Sequence, residues 1–271
     1  MKFKALALDL DGTTLVGERL PEANRLALQK ASQAGYEIII ATARWLQMAQ
    51  RIAEEVGVQS LAIACSGAQV YDPVSGRDIF DERLPESVVH DLYEICNNSR
   101  CITTVMVSDQ VLLKLDGEPD PASMSDEMSW VPQLTLNSAD LPRIVAVQGT
   151  AVCEYIKSEL KPRYADRVNV FDSIGPTGKL IITITGKRAT KGVALQAACD
   201  HLDLDTRSVV AFGDAENDLE MFKLAGASVA MGQADDVVKA AADYVSTPNY
   251  EDGVARAIDR LLSNGDFPDH R

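Results

Sequence analysis

The sequence is short of basic residues. In 271 residues there are 26 Lys and Arg against 40 Asp and Glu, a net charge of −14. A general binder of nucleic-acid backbones needs a basic face to displace counterions, so that class is excluded. A small anionic substrate is still allowed, because one local metal ion reverses the field inside a site. Cysteines are few: Cys65, Cys96, Cys101, Cys153 and Cys199, odd in number and without a CxxC pair. That argues against a disulfide framework or a spaced zinc site and fits reduced thiols in a cytoplasmic protein. No apolar run approaches 18 residues, and Asp9 and Asp11 interrupt the apolar N-terminal stretch. Neither a membrane span nor a secretory leader is expected. Internal repeats and low-complexity segments are also absent.

What is present begins at Ala5. The run Ala5-Leu-Ala-Leu8 leads directly into Asp9, Leu10, Asp11, Gly12, Thr13 and Thr14. A short continuous apolar run bounded by a turn signal reads as a buried parallel strand. Open α/β sheets take ligands outside the carboxyl ends of their strands, where these two aspartates fall. Two carboxylates one residue apart repel unless one is protonated or a cation lies between them. Taken alone, the stretch reads equally as a strand ending in an acidic Asp-Gly turn.

The chain then alternates. A helix is predicted from Leu20-Pro21 to Ala34, stopped by Gly35, followed by a strand over Tyr36–Ala41. Thr42-Ala43-Arg44 leads into a helix reaching Val56, with Thr42 as its N-cap. A third strand, Ser60–Cys65, ends in Ser66-Gly67-Ala68. This order is the doubly wound α/β signature and predicts a parallel sheet. From Leu84-Pro85 the texture changes. The expectation is a helix over 86–97, then a hairpin of 102–107 and 111–115 turning at 108–110. A polar loop over 115–132, a strand over 144–147, a helix over 151–160, and a hairpin of 167–171 and 180–185 turning at 175–178 follow. These form a separate α+β unit over 84–186, leaving 1–83 and 187–271 as a discontinuous core. The first pattern resumes with Thr190-Lys191-Gly192 before a helix to His201. Next come a strand over 208–212 ending in Gly213-Asp-Ala-Glu-Asn-Asp218, a helix over 219–224, a strand over 227–231, helices over 234–242 and 254–262, and a frayed tail.

Three apolar strands thus end in polar groups on one sheet edge: Asp9 and Asp11, Thr42, and Asp214 with Asp218. Asp214 and Asp218 are four apart, so a helix starting promptly would put them on one face. Four carboxylates at one edge call for a cation, and hard oxygen ligands together with a substrate phosphate suit Mg²⁺. Thr42, at a helix N-terminus, reads as a plain cap or as an anion contact. Lys191 opposes the macrodipole at the start of its helix, which favours a phosphate-binding charge over a surface lysine.

With these motifs in order, the chain resembles the haloacid dehalogenase (HAD) superfamily of phosphatases, in its Cof-like branch with a large α/β cap of type C2. Asp9-Leu-Asp-Gly-Thr13 matches the first motif, Thr42 the second, Lys191 the third and Gly213–Asp218 the fourth. Val229-Ala-Met-Gly232 and Glu251-Asp-Gly-Val254 are similar to the branch as well. The resemblance implies a Rossmann-like core with an inserted cap, and a hydrolase acting on a small phosphorylated metabolite. Asp9 would be the nucleophile that becomes an aspartyl-phosphate. Asp11 would protonate the leaving alcohol and then deprotonate water. Mg²⁺ would be held by Asp9, the backbone carbonyl of Asp11 and Asp214, with Asp218 acting through water or from behind. Thr42, Lys191 and Asn217 would clamp the phosphoryl oxygens, and the cap would close over the site. Two positions depart from the branch. Ala43 stands where Gly is usual and Ser66 where Asn is common.

Two other readings stay open at this stage: a phosphomutase sharing the aspartyl-phosphate, and a non-catalytic binding module on the same fold. The substrate is not legible. Trp130, Tyr155 and Phe171 can stack on a pyridine or flavin ring or simply fill a core, and the loop 117–128 is either a specificity element or a mobile one.

Overall fold

The computed structural model describes residues 2–108, 110–120, 122, 124–174 and 178–267. The chain divides into two compact units, Met1–Phe80 with Thr190–Arg271 and Asp81–Ala189. The second unit reaches three residues further at each end than the 84–186 expected from sequence.

In the first unit, β1 (Ala5–Leu8), α1 (Glu22–Gln33), β2 (Glu37–Ala41), α2 (Leu46–Val56) and β3 (Leu61–Ala64) follow in order. Two further strands close this edge, β4 (Gln69–Asp72) and β5 (Arg77–Asp81). The second unit carries α3 (Glu86–Asn97), β6 (Ile102–Val107), β7 (Gln110–Lys114), β8 (Met128–Val131), β9 (Ile144–Gln148), α4 (Thr150–Tyr155), β10 (Val168–Ile174) and β11 (Leu180–Gly186). The first unit resumes with α5 (Lys191–His201), β12 (Val209–Gly213), α6 (Leu219–Leu224), β13 (Ala227–Ala230), α7 (Asp236–Ala241), β14 (Tyr244–Val245) and α8 (Gly253–Asn264).

The core sheet runs β14-β13-β12-β1-β2-β3-β4-β5. Its central strands β1, β2, β3, β12 and β13 are parallel and short, and nearly every residue in them is buried. That burial on both faces is why they read as continuous apolar runs. Ala5, Ala7, Ile39, Ile63, Val209 and Ala211 pack with Leu195, Ala198, Met221 and Phe222 of α5 and α6. The sheet is not wholly parallel, however. β4 pairs antiparallel with β3, and the sequence reading found neither β4 nor β5. Both are short strands at or next to the sheet edge, with polar residues such as Gln69, Asp72, Arg77 and Asp78, so they carry little hydrophobic signal. Asp72 builds the turn between them, its carboxylate accepting the N–H groups of Val74 (2.8 Å) and Ser75 (3.2 Å).

The second unit is a six-stranded sheet, β10-β11-β9-β6-β7-β8, antiparallel except for the parallel pair β7–β8. Alternate residues such as Val105, Val145, Val147, Ile182 and Ile184 bury against Val88, Leu92, Val152 and Ile156 of the helical layer. β8 lies inside the stretch expected to be loop, because four residues between polar turns offer no run long enough to count. After Tyr155 the helix widens into a π turn, Ile156–Leu160. The expected turn residues 109 and 175–177, positions 121 and 123 of the expected loop, and the last four residues of the expected frayed tail lie outside the described residues. Among the described residues, no helix is long and apolar enough to cross a membrane.

Candidate active site

The register of the parallel strands brings the site together. Leu8 lies beside Phe212 on one side and Ile40 on the other. Asp9 follows Leu8 directly, and Thr42 and Asp214 come two residues after Ile40 and Phe212, so all three emerge at the same sheet edge. β1 and β12 are the strands between which the chain order reverses, the usual crevice of an open α/β sheet.

The loop after β1 is held from within and from afar. Thr14 Oγ1 donates to the Asp9 carbonyl at 2.6 Å, and Thr13 Oγ1 donates to Asp214 Oδ1 at 3.0 Å. Gly12 sits at φ +78°, and a Cβ there would lie 2.2 Å from Asp214 Oδ2. Only glycine lets the two loops approach so closely. Gln233 Nε2 donates to the Gly12 carbonyl at 2.6 Å, and Asn249 Nδ2 to that of Leu15 at 2.7 Å. The Asn249 N–H in turn donates to Gln233 Oε1 at 2.9 Å. Sequence reasoning missed Gln233 and Asn249. Both lie more than 200 residues from the loop they hold, and each looks like an ordinary polar residue beside a motif.

Lys191 is the first residue of α5, capped by Thr190, whose hydroxyl accepts the Val193 N–H at 3.2 Å. Its side chain is buried, and Nζ donates to Asp9 Oδ1 at 2.5 Å and to Asp218 Oδ1 at 2.7 Å. The other Asp218 oxygen accepts the backbone N–H groups of Asp214 (3.0 Å) and Ala215 (3.1 Å). Asp214 and Asp218 therefore do not meet on one helix face, as the spacing had suggested. Residues 216–218 form a single 3-10 turn, and Asp218 folds back over the loop before α6 begins. A Cβ on Gly213 would lie 2.5 Å from Asp218 Cβ, so glycine is required there too.

Asp9, Asp214 and Asp218 each place a carboxylate oxygen within 4.8 Å of the others. Burial pushes the Asp9 carboxyl well above its ordinary range; Lys191 opposes this, while Asp218 and Asp214 add to the rise. Asp214 is pushed up to about 6, by burial and then by the Asp218 charge. Burial also disfavours the Lys191 ammonium, but Asp218 and Asp9 outweigh it and raise its pKa. Three carboxylates facing one ammonium leave an excess of negative charge, and the donors are hard oxygens. The residues fit a divalent cation.

The Asp11 carboxylate is not part of this cluster. It accepts from Arg44 Nε through both oxygens, 3.0 Å to Oδ1 and 2.8 Å to Oδ2, and also from Arg44 Nη2. Thr42 is fully buried, but it caps no helix: α2 begins at Leu46, four residues on. The Thr42 hydroxyl instead accepts the Arg44 N–H at 3.1 Å. Ala43 does not adopt positive φ, so its Cβ costs nothing in backbone conformation. Ser66 does, at φ 57°, a conformation that Asn takes more readily than Ser. Asn217 is exposed on the turn before α6. A cavity of about 690 Å³ lies in the second unit, with Asp91, Arg100 and the half-exposed Tyr155 in its wall, and holds none of the candidate catalytic, phosphate-binding or metal-binding residues.

The model of the haloacid dehalogenase-like hydrolases matches residues 6–258. The chain belongs to this family. It is 29% identical over 261 residues to a 5-amino-6-(5-phospho-D-ribitylamino)uracil phosphatase of Bacillus subtilis, covering 94% of each chain. It is 29% identical over 283 residues to a pyridoxal phosphate phosphatase of Escherichia coli, covering 95% of this chain and 98% of the other. The solved structure of a haloacid dehalogenase-like hydrolase from Bacteroides thetaiotaomicron superposes with a TM-score of 0.82 at 25% identity, covering 96% of this chain and all of that one.

Proposed function

We propose that the chain is a Mg²⁺-dependent phosphatase that hydrolyses a small phosphorylated metabolite through an aspartyl-phosphate on Asp9. One observation carries this reading: a buried Asp9 carboxylate at the strand end, with Lys191 on one oxygen and Asp214 and Asp218 beside it. Lys191 engages Oδ1 and leaves the other oxygen for attack on phosphorus. A bond forms from Asp9 to phosphorus as the ester P–O bond breaks, and Asp11 gives its proton to the departing alcohol. Asp11 then takes a proton from water, whose oxygen bonds to phosphorus as the Asp9–phosphorus bond breaks and phosphate is released. Thr42, Lys191 and Asn217 hold the phosphoryl oxygens, where charge builds up in the transition state. Asp218 acts by positioning Lys191. Asp9, Asp214 and the Asp11 backbone carbonyl would hold Mg²⁺, which would supply charge neutralisation at the phosphoryl group.

The relatives named above act on a phosphorylated ribitylaminouracil and on pyridoxal phosphate, which supports a small metabolite as the substrate class. The test is phosphate release from a broad panel of phosphorylated metabolites, with Mg²⁺ and with EDTA, for wild type and Asp9→Asn. Mg²⁺-dependent release on a few compounds, absent in the variant, is the expected result. Interconversion of sugar phosphates without net release would replace hydrolysis by phosphoryl transfer. Equal rates in wild type and Asp9→Asn would end the reading.

A further inference from the structure

Asp11 differs from the other candidate residues. Asp9, Lys191 and Asp218 are locked in a buried network, whereas the Asp11 side chain is 48% exposed. Nothing in its own loop holds its carboxylate; Arg44 does. Arg44 is anchored at its base, since its N–H donates to Thr42 Oγ1 and its carbonyl accepts the Cys65 N–H at 2.7 Å. It therefore rises from a point tied to the loops after β2 and β3. Its guanidinium is mostly buried and meets two carboxylates at once. Nε and Nη2 face Asp11, while Nη1 donates to Glu18 at 2.5 Å and Nη2 also reaches Glu18 at 3.1 Å. Glu18 lies in the turn 16–19, closed by reciprocal backbone bonds between Val16 and Arg19. The Arg44 hydrogen bond holds the Glu18 carboxyl below its usual range.

We propose that Glu18 and Arg44 are positioning residues for Asp11: Glu18 fixes the guanidinium fork, and the fork fixes the direction from which Asp11 exchanges its proton. Arg44 takes three of the carboxyl group's roughly four lone-pair sites, and the fourth, on Oδ2, can carry the proton that Asp11 gives to the ester oxygen. A planar fork constrains orientation where a lysine ammonium would supply charge alone. The proposal rests on the reading of Asp11 as proton donor and acceptor. It adds two residues that this reading does not use.

Leaving-group dependence tests it. p-Nitrophenolate departs as a stable anion and needs no proton, whereas an alkoxide does. Arg44→Lys is expected to lower kcat about tenfold or more on the alkyl phosphate that wild type turns over fastest, and only a few-fold on p-nitrophenyl phosphate. Glu18→Gln, a change at an exposed residue that leaves the fold intact, is expected to shift the same ratio in the same direction by about threefold. Equal losses on both esters in Arg44→Lys, or an unchanged ratio in Glu18→Gln, would overturn the proposal. So would a gain on the alkyl ester, which would make the clamp a lock that restrains Asp11. Asp11→Asn separates the two layers. If it shows no preference for the aryl ester, the acid role of Asp11 fails; if it does and neither clamp variant follows, only the clamp fails.

Discussion

Replacing Lys191 by Met keeps most of the side chain's volume and removes the cation that bridges Asp9 and Asp218. At an effective dielectric of about 20, two carboxylates 4.8 Å apart repel by about 3.5 kcal/mol, so three pairs carry about 10 kcal/mol. On the same footing Lys191, at 2.5 and 2.7 Å, attracts Asp9 and Asp218 by about 6 kcal/mol each. The ammonium's attraction, about 12 kcal/mol in all, thus slightly more than offsets the repulsion. Without it the cluster takes up protons rather than bear the full charge, and the expected loss of stability is about 3–5 kcal/mol. Urea unfolding followed by circular dichroism, in EDTA at mildly alkaline pH, measures it. The pH dependence has a defined sign. A carboxyl whose pKa is raised on folding stabilises the fold below its unfolded value of about 4 and loses that contribution as pH rises through its folded value. For Asp214 that value is about 6, and Asp9 is also raised. The Lys191→Met deficit should therefore shrink in acid and grow with rising pH. Excess Mg²⁺ should restore part of it. A deficit below about 1 kcal/mol, or one indifferent to both pH and Mg²⁺, would refute the electrostatic account.

Three further outcomes are expected. Gly12→Ala meets both a left-handed φ, costing about 1–2 kcal/mol, and the Asp214 carboxylate, so divalent-cation affinity measured by titration calorimetry should fall at least about tenfold; unchanged affinity would show that Asp214 does not hold the ion. Asp72→Ala leaves the Val74 and Ser75 N–H groups without their acceptor and should cost about 1 kcal/mol at neutral pH. Burial raises the Asp72 carboxyl, but the hydrogen bonds from Ser75, Val74 and His201 outweigh it and hold it low; the Asp72→Ala deficit should close as pH falls through that lowered value, and a constant deficit would rule this out. All five cysteines are free and buried, so a thiol reagent should label none of them rapidly in the native protein and all five in urea.

Much of the core was legible because a buried parallel strand is an apolar run with punctuation at its end. Ala5–Leu8, Glu37–Ala41 and Val209–Gly213 all lie where the runs placed them, to within a residue. Short outer strands were not legible: Gln69–Asp72 is half polar, Met128–Val131 is only four residues long, and both derive their identity from the neighbour they pair with. Nor was the true start of α2. Thr42 has the chemistry of an N-cap, but its hydroxyl is taken by the Arg44 N–H, and the chain runs on four residues before the helix begins.

The amino-acid order by itself singled out the candidates for the chemistry: Asp9, Asp11, Thr42, Lys191, Asp214 and Asp218 each follow a local signal, a strand ending or a helix starting. What those residues touch was decided only by the tertiary structure. That Lys191 bridges Asp9 and Asp218, that Arg44 bridges Asp11 and Glu18, and that Gln233 and Asn249 hold the first loop are contacts across tens to hundreds of residues. No local pattern encodes them. They follow from the register of parallel strands, which aligns distant strand ends at one edge and lets charge and hydrogen bonding sort the partners there.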